Sequence, residues 1–133
     1  MEHKRKIYGF MCDVYGHLNN ANYLFLYEEA RAEGLEKIGI PIRDLNKKGI
    51  SIYLTEINIK FIKSVMLEDT VTIKSKIIKH NRLKSVWEQK IFNSKGELCN
   101  IATVTGVFVK NGKPFRIPIE IFEIFDNFIK NDE

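Results

Sequence analysis

The chain contains one long helix-like segment, and a series of strand-like segments follows it. Hydrophobic residues alternate with polar ones over residues 50–61, 71–77 and 84–92, and a run rich in small and β-branched residues covers 98–110. Consecutive strands with one segregated helix are typical of α+β domains that contain an antiparallel sheet. This order of segments therefore predicts an α+β fold with an antiparallel sheet.

The first of these strands changes phase in its middle. Its apolar residues stand at even positions up to Leu54 and at odd positions from Ile57 onward. A one-residue phase change predicts a bulge or a sharp bend near Thr55 and Glu56, which suits a sheet that curves around a helix. The last long strand, Leu98 to Lys110, is predicted to lie centrally and to pack closely on one face, because its residues are small or β-branched.

Four other segments complete the prediction. A short apolar strand is expected at 7–12, and a helix is expected at 24–38, ended by Gly39 and Pro41. The first half of this helix is apolar on nearly all sides and should be enclosed, whereas its second half is charged and should emerge into water. The polar connection 41–49 offers one helical turn at 44–48. A short amphipathic helix at 119–129 is expected to cap the core or a partner subunit.

Length and composition exclude several classes of protein. The 133 residues are predicted to form one domain, residues 1–133. A net charge of +4, spread along the chain, is too small to indicate nucleic-acid binding. Two cysteines, Cys12 and Cys99, form no disulfide framework and are consistent with a reducing compartment. The charged first residues and the lack of an apolar run of about 18 residues predict a cytoplasmic protein without a membrane partner.

A polar loop between the predicted strand at 7–12 and the long helix holds the residues best suited to chemistry. Asp13 lies beside the apolar Phe10, Met11 and Val14, and such neighbours would raise the pKa of a carboxylate by desolvation and make it a better base or nucleophile. The ordinary alternative is an Asx-turn, which Asp forms frequently. Gly16 fits either interpretation, because glycine permits a positive φ or a close ligand.

The other polar residues of this loop are open to two interpretations as well. His17 has no metal-like spacing to another histidine or to Cys12, so we expect neither a metal nor a cofactor. Asn19 or Asn20 would be a good N-cap of the long helix. The free N–H groups of that helix start would also suit a developing oxyanion.

These residues carry a resemblance to a known family. The motif consists of Asp13, Gly16, His17, Asn19, Asn20 and Tyr23, followed on the helix by Glu28, Glu29, Ala30 and Arg31. It resembles the hot-dog-fold acyl-thioesterases of the 4-hydroxybenzoyl-CoA thioesterase type, and the resemblance spans most of the chain. The resemblance implies a curved antiparallel sheet wrapped around one long central helix, with a short C-terminal helix.

The resemblance also implies a reaction, the hydrolysis of a thioester of coenzyme A or of an acyl carrier protein. On that basis Asp13 is the catalytic carboxylate, acting as nucleophile or as general base, with His17 and Asn19 orienting the loop or the thioester. The backbone N–H groups from Asn20 to Tyr23 would bind the carbonyl oxygen. Gly16 and the Tyr23 side chain are the remaining candidates for contact with the substrate.

The family places further features in this chain. A sister group of hot-dog thioesterases carries its acid on the helix, where Glu28 and Glu29 are the candidates. Hot-dog domains pair, which implies a homodimer or homotetramer, and Lys60, Lys63 or Arg82 would meet the phosphates of coenzyme A. A second acid, frequent two residues before the key Asp, is replaced by Met11. A non-enzymatic acyl-thioester-binding module and a hydratase or dehydratase of the same fold are the competing hypotheses.

Overall fold

The computed structural model describes residues 1–132, which form one antiparallel sheet packed on α-helices. The strands are β1 (Glu2–Lys6), β2 (Ser51–Phe61), β3 (Thr70–His80), β4 (Lys84–Phe92), β5 (Leu98–Lys110) and β6 (Lys113–Pro114). The helices are α1 (Asn22–Lys37), α2 (Ile42–Lys47) and α3 (Ile119–Asn131). The architecture is α+β, as predicted.

The sheet has the strand order β1-β3-β4-β5-β2, and β6 pairs with β5 through a tight turn at Asn111 and Gly112. All pairs are antiparallel, and β1 and β2 form the two edges. The sheet curls around α1, whose buried side places Leu26, Tyr27 and Ala30 in the same hydrophobic core as residues of the sheet. This is the predicted curved sheet around a central helix.

Three sequence predictions about the sheet are confirmed in detail. The register of β2 against β5 shifts between Leu54 and Glu56, where the phase change predicted a bulge. Strand β4 occupies the predicted range, and β5 is an inner strand between β4 and β2. The helix α3 places Ile121 and Phe125 in the core, so it caps the core of its own chain.

The predicted strand at 7–12 is wrong. The strand is β1, whose charged residues pair with β3 from Glu2↔Lys74 to Lys6↔Thr70. Such a sequence suits an edge strand, because charged side chains there discourage pairing with other molecules. Ile7 is fully buried where the chain leaves the sheet, and Gly9–Met11 form a short 3-10 turn instead of a strand.

The long helix also differs from its prediction in one respect. Its first half is not enclosed, since Leu24 and Phe25 expose 41% and 66% of their surface. The connecting turn forms as α2 at Ile42–Lys47, slightly earlier than expected. No helix within residues 1–132 combines the length and hydrophobicity needed to cross a membrane.

Candidate active site

Backbone hydrogen bonds fix the polar loop that precedes α1. The N–H of Leu18 donates to the Val65 carbonyl at 2.8 Å, and the N–H of Leu67 donates to the Gly16 carbonyl at 2.9 Å. Val65 and Leu67 both belong to the connection between β2 and β3. The N–H of Asn19 donates to the Met11 carbonyl at 3.0 Å. The loop is therefore held against a neighbouring loop before any substrate arrives.

Asp13 uses one of its two carboxylate oxygens to shape this loop. Its Oδ1 accepts hydrogen bonds from the N–H of Tyr15 at 2.9 Å and of His17 at 3.3 Å, which is an Asx-turn. Gly16 closes the turn with a φ of +75°, a conformation that a residue without Cβ adopts readily. No protein hydrogen bond is assigned to Oδ2 within residues 1–132. The carboxylate is thus oriented by one oxygen and available through the other.

The apolar residues next to Asp13 do not enclose it. Phe10 and Val14 expose 80% and 92% of their surface, whereas Met11 is buried. The sequence placed all three around the carboxylate, and two of them instead point to solvent. Tyr15 and Tyr8 are exposed as well, and Tyr8 stacks on Phe10. The residues that flank Asp13 therefore form an exposed apolar surface.

His17 and Asn19 act on the loop through different groups. The carbonyl of His17 accepts the Asp13 N–H at 2.9 Å, and no hydrogen bond is assigned to its imidazole among the described residues. The Asn19 side chain accepts the N–H of Ala21 at 3.0 Å. The N-cap position of α1 belongs to Ala21 and not to the predicted Asn19 or Asn20, and the Asn19 side chain caps the turn that leads into the helix.

The start of α1 carries two unpaired backbone donors. The N–H of Asn22 donates to the Asn19 carbonyl at 2.9 Å, and that of Leu24 donates to the Ala21 carbonyl at 3.3 Å. No acceptor in residues 1–132 is assigned to the N–H of Asn20 or of Tyr23. Free N–H groups at the positive end of a helix stabilise negative charge on a nearby oxygen. This end of α1 can therefore bind an anionic oxygen.

The Tyr23 side chain anchors this end of the helix. It is 3% exposed, its hydroxyl accepts the Val65 N–H at 3.3 Å, and its ring packs edge-to-face on Phe61 at 5.1 Å. Burial raises the pKa of Tyr23 above its ordinary value. The phenol therefore fixes the helix to the β2–β3 connection, and the backbone N–H of Tyr23 has no assigned acceptor within residues 1–132.

A cavity of about 610 Å³ lies elsewhere on α1 and shares no lining residue with the polar loop. Its walls come from α1, α2, α3, β2, β4 and β5, and they include Phe25, Trp87 and Phe108. Glu28 and Arg31 bring charge to this mostly apolar space. No local sequence pattern predicts the cavity, because its walls come together only in the folded protein.

The two acids on the helix differ in their partners. Glu29 pairs with Arg5 at 3.0 Å and with His3 at 2.6 Å, whereas Glu28 is exposed and has no ion pair within residues 1–132. Both line the cavity. Glu28 is therefore the freer of the two carboxylates.

The three basic residues considered for phosphate binding also differ. Lys63 pairs with Glu97, and Arg82 Nε donates to the Ile117 carbonyl at 2.8 Å. Lys60 is exposed and carries no ion pair within the described residues. Residues 1–132 contain no group of three or more side chains that could hold a metal ion.

Comparison with known proteins shows the family of this chain. The profile of the Thioesterase-like superfamily matches residues 9–125. The chain is 30% identical to the long-chain acyl-CoA thioesterase FadM of Escherichia coli over 98% of this chain and 100% of that protein. It is 31% identical to the putative acyl-CoA thioesterase YneP of Bacillus subtilis over 73% of this chain and 70% of that protein. The DHNA-CoA thioesterase structure from Staphylococcus aureus superposes with a TM-score of 0.92 at 26% identity, covering 98% of this chain and 91% of that one.

Proposed function

Because the chain belongs to the thioesterase-like superfamily, we propose that it hydrolyses an acyl-CoA thioester and that Asp13 is its catalytic carboxylate. The enzyme class follows from the acyl-CoA thioesterases among its relatives. Coenzyme A is the preferred carrier for this reason, and an acyl carrier protein is the second candidate. A cytoplasmic setting and the 4-hydroxybenzoyl-CoA subtype stay predictions.

The oriented carboxylate of Asp13, in the loop that leads into α1, is the observation that supports this reaction best. Oδ1 is held by two backbone N–H groups, and Oδ2 is available to the substrate. Asn20 and Tyr23 follow in the same loop and first turn, with N–H groups that have no assigned acceptor within residues 1–132. An acid and two oxyanion donors on one rigid loop are the groups that acyl transfer requires.

Two reaction paths use the same groups. In the first, Oδ2 attacks the thioester carbon, the C–S bond breaks as thiolate leaves, and water then hydrolyses the mixed anhydride. In the second, Asp13 removes a proton from water as that water attacks the carbon, and the C–S bond then breaks as the thiolate leaves and takes up that proton. Both paths place negative charge on the carbonyl oxygen, where the N–H groups of Asn20 and Tyr23 stabilise it. Losing one such donor typically costs about 2.7–4 kcal/mol of barrier.

The remaining residues of the motif hold this arrangement. Gly16 permits the positive φ of the turn, and His17 and Asn19 keep the loop and the helix start in register. His17 also has an imidazole without an assigned hydrogen bond among the described residues, and we place it against the thioester. Lys60, exposed on β2, is our choice for a phosphate of coenzyme A.

A homodimer through β2 completes the proposal. This edge strand has unpaired backbone groups on one side, and Tyr53, Leu54 and Ile57 expose 56%, 46% and 37% of their surface. Phe25 on α1 is exposed as well. An apolar edge of this kind is normally covered by another chain. A homotetramer would pair two such dimers.

Two features of the structure distinguish the proposed hydrolase from the two competing functions. A hydratase or dehydratase of this fold would need a histidine on the buried helix, and α1 carries none. A module that only binds acyl thioesters would not need an oriented carboxylate. We retain it as the alternative that the experiment below addresses.

Thiol release, followed with a thiol-reactive dye, tests the proposal on short, long and aromatic acyl-CoAs. The wild type should turn over at least one of them, and Asp13→Asn should remove that activity while Glu28→Gln leaves most of it. Loss in Glu28→Gln alone would move the acid to the helix. Binding without thiol release by the wild type would establish the binding module instead.

A further inference from the structure

The cavity beside α1 has the dimensions of a site for an aliphatic chain. It follows α1 from Phe25 to Leu35, and ten residues of helix span about 15 Å. An extended backbone covers about 3.5 Å in three bonds, or roughly 1.2 Å per bond, so a chain of about ten to twelve carbons extends about 11–13 Å and fits within this length. Trp87 and Phe108 line the sheet side, where Gly106 adds no side chain. The volume of about 610 Å³ lies in the range of small-molecule sites.

One cationic side chain, Arg31, lines this cavity without an anionic partner. Its Nη1 donates to the Gln89 side-chain carbonyl at 2.8 Å, and no carboxylate within residues 1–132 lies within 4.0 Å of its guanidinium. Burial lowers the pKa of Arg31. A guanidinium has five N–H donors, so most of its donor capacity is unused. Partly buried charges are normally hydrogen-bonded or paired, and here the pairing is incomplete.

A buried polar network fixes the position of Arg31. Gln89 is fully buried, and its Nε2 donates to the Ser75 hydroxyl at 2.9 Å and to the Tyr27 carbonyl at 3.0 Å. The side-chain carbonyl of Gln89 is thereby turned toward Arg31. The guanidinium is held by its neighbours before a ligand enters, which lowers the entropic cost of binding.

The charges around the cavity favour a neutral oxygen as the partner of Arg31. Glu29 is already paired with Arg5 and His3. Glu28, on the same helix and three residues before Arg31, has no ion pair within the described residues. It balances the charge of Arg31 at a distance and would repel an anionic ligand. A hydroxyl or keto oxygen can accept from Arg31 without adding charge.

We propose that this cavity binds an aliphatic chain of about ten to twelve carbons carrying a hydroxyl or keto oxygen, to which Arg31 donates a hydrogen bond. The cavity begins at Phe25, two residues beyond Tyr23 on α1. Resting on the proposed thioesterase function, this assigns an oxygenated acyl group, with the oxygen remote from the thioester, as the favoured substrate class. The binding itself does not depend on catalysis by Asp13. It can therefore be tested with ligands that no thioesterase can cleave.

Trp87 supplies the readout, because it is the only tryptophan of the chain and lines the cavity. The probes are N-methylamides of unsubstituted and ω-hydroxy fatty acids with six to twelve carbons, titrated while Trp87 fluorescence is recorded. At the best length the hydroxyl should tighten binding by about tenfold or more, as expected for a hydrogen bond to a charged donor. Equal affinity of both series at every length in the wild type would overturn the proposal.

Two variants assign the preference to Arg31. In Arg31→Met the advantage of the hydroxyl should disappear while the unsubstituted chains still bind. Arg43→Met, which removes an exposed arginine on α2 outside the cavity lining, should keep the advantage. A third probe, the N-methylamide of the ω-carboxy fatty acid of the same length, tests for a preference for anions. A hydroxyl preference that survives in Arg31→Met, or tighter binding of the ω-carboxy probe than of the ω-hydroxy probe, would contradict the assignment. Because the probes are not hydrolysed, failure of the thioesterase proposal alone leaves this result unaffected.

Discussion

A buried hydrogen bond between α1 and β5 provides a quantitative test of how the helix is fixed to the sheet. The Tyr27 hydroxyl donates to Asn100 Oδ1 at 2.6 Å, and both residues are at most 1% exposed. The Nδ2 of Asn100 is buried and has no partner within residues 1–132. In Tyr27→Phe, Oδ1 would lose the only hydrogen bond assigned to it there. Leaving a buried acceptor unsatisfied costs about 1–3 kcal/mol, which is the expected loss in the free energy of unfolding.

Urea denaturation measures this loss, and Tyr15→Phe is the matched control. The Tyr15 side chain is 77% exposed and lies outside the proposed dimer edge, so the same substitution there should change the free energy by about 0.5 kcal/mol or less. The double variant Tyr27→Phe with Asn100→Leu removes both partners and should be less destabilised than the sum of the single variants. A loss below about 0.5 kcal/mol in Tyr27→Phe, or strict additivity in the double variant, would refute the reasoning.

Three more perturbations test the loop, the end of β3 where His80 packs on α3, and the sheet edge. Gly16→Ala should destabilise the fold by about 1–2 kcal/mol in urea denaturation because φ is +75°, whereas Gly16→Asn should cost less; equal losses would contradict this. Burial lowers the pKa of His80 in the folded state, so the unfolded state takes up a proton at a higher pH and the free energy of unfolding should fall as pH drops below about 6.5. His80→Gln should show a smaller fall. The same pH profile in the variant and the wild type would exclude His80 as the cause. Leu54→Lys on the exposed edge of β2 should convert a dimer to a monomer in light scattering, and a persisting dimer would place the interface elsewhere.

Most of the sheet could be predicted because the residue pattern within each strand is enough to indicate that strand. Alternation of hydrophobic and polar residues predicted β2, β3 and β4, and a run of small and β-branched residues predicted β5. The phase change at Leu54 to Ile57 located the bulge. Strand β1 could not be found in this way, because its charged sequence becomes a strand only by pairing with β3. The exposed Phe25 was missed for a related reason, since hydrophobicity does not distinguish a core face from a face available to a partner.

In the candidate site, too, local features could be predicted and tertiary ones could not. The polar loop and its acid were identified from the motif, and the Asx-turn was one of the two interpretations that the sequence left open. The free N–H groups of Asn20 and Tyr23 depend on which backbone bonds the loop forms, and a residue pattern does not specify them. The cavity with Arg31 joins residues from α1 and the sheet, so it required the tertiary structure.

The catalytic role of Asp13 is tested most directly by the kcat of Asp13→Asn on the best acyl-CoA. The affinity of the variant for that substrate is measured alongside. The account predicts a fall in kcat of a hundredfold or more, typical of a lost general base or nucleophile, with nearly unchanged substrate affinity. The control Asp126→Asn, which makes the same change in a surface ion pair on α3, should retain the wild-type rate. A kcat for Asp13→Asn within about threefold of the Asp126→Asn value would contradict the assignment of the catalytic carboxylate.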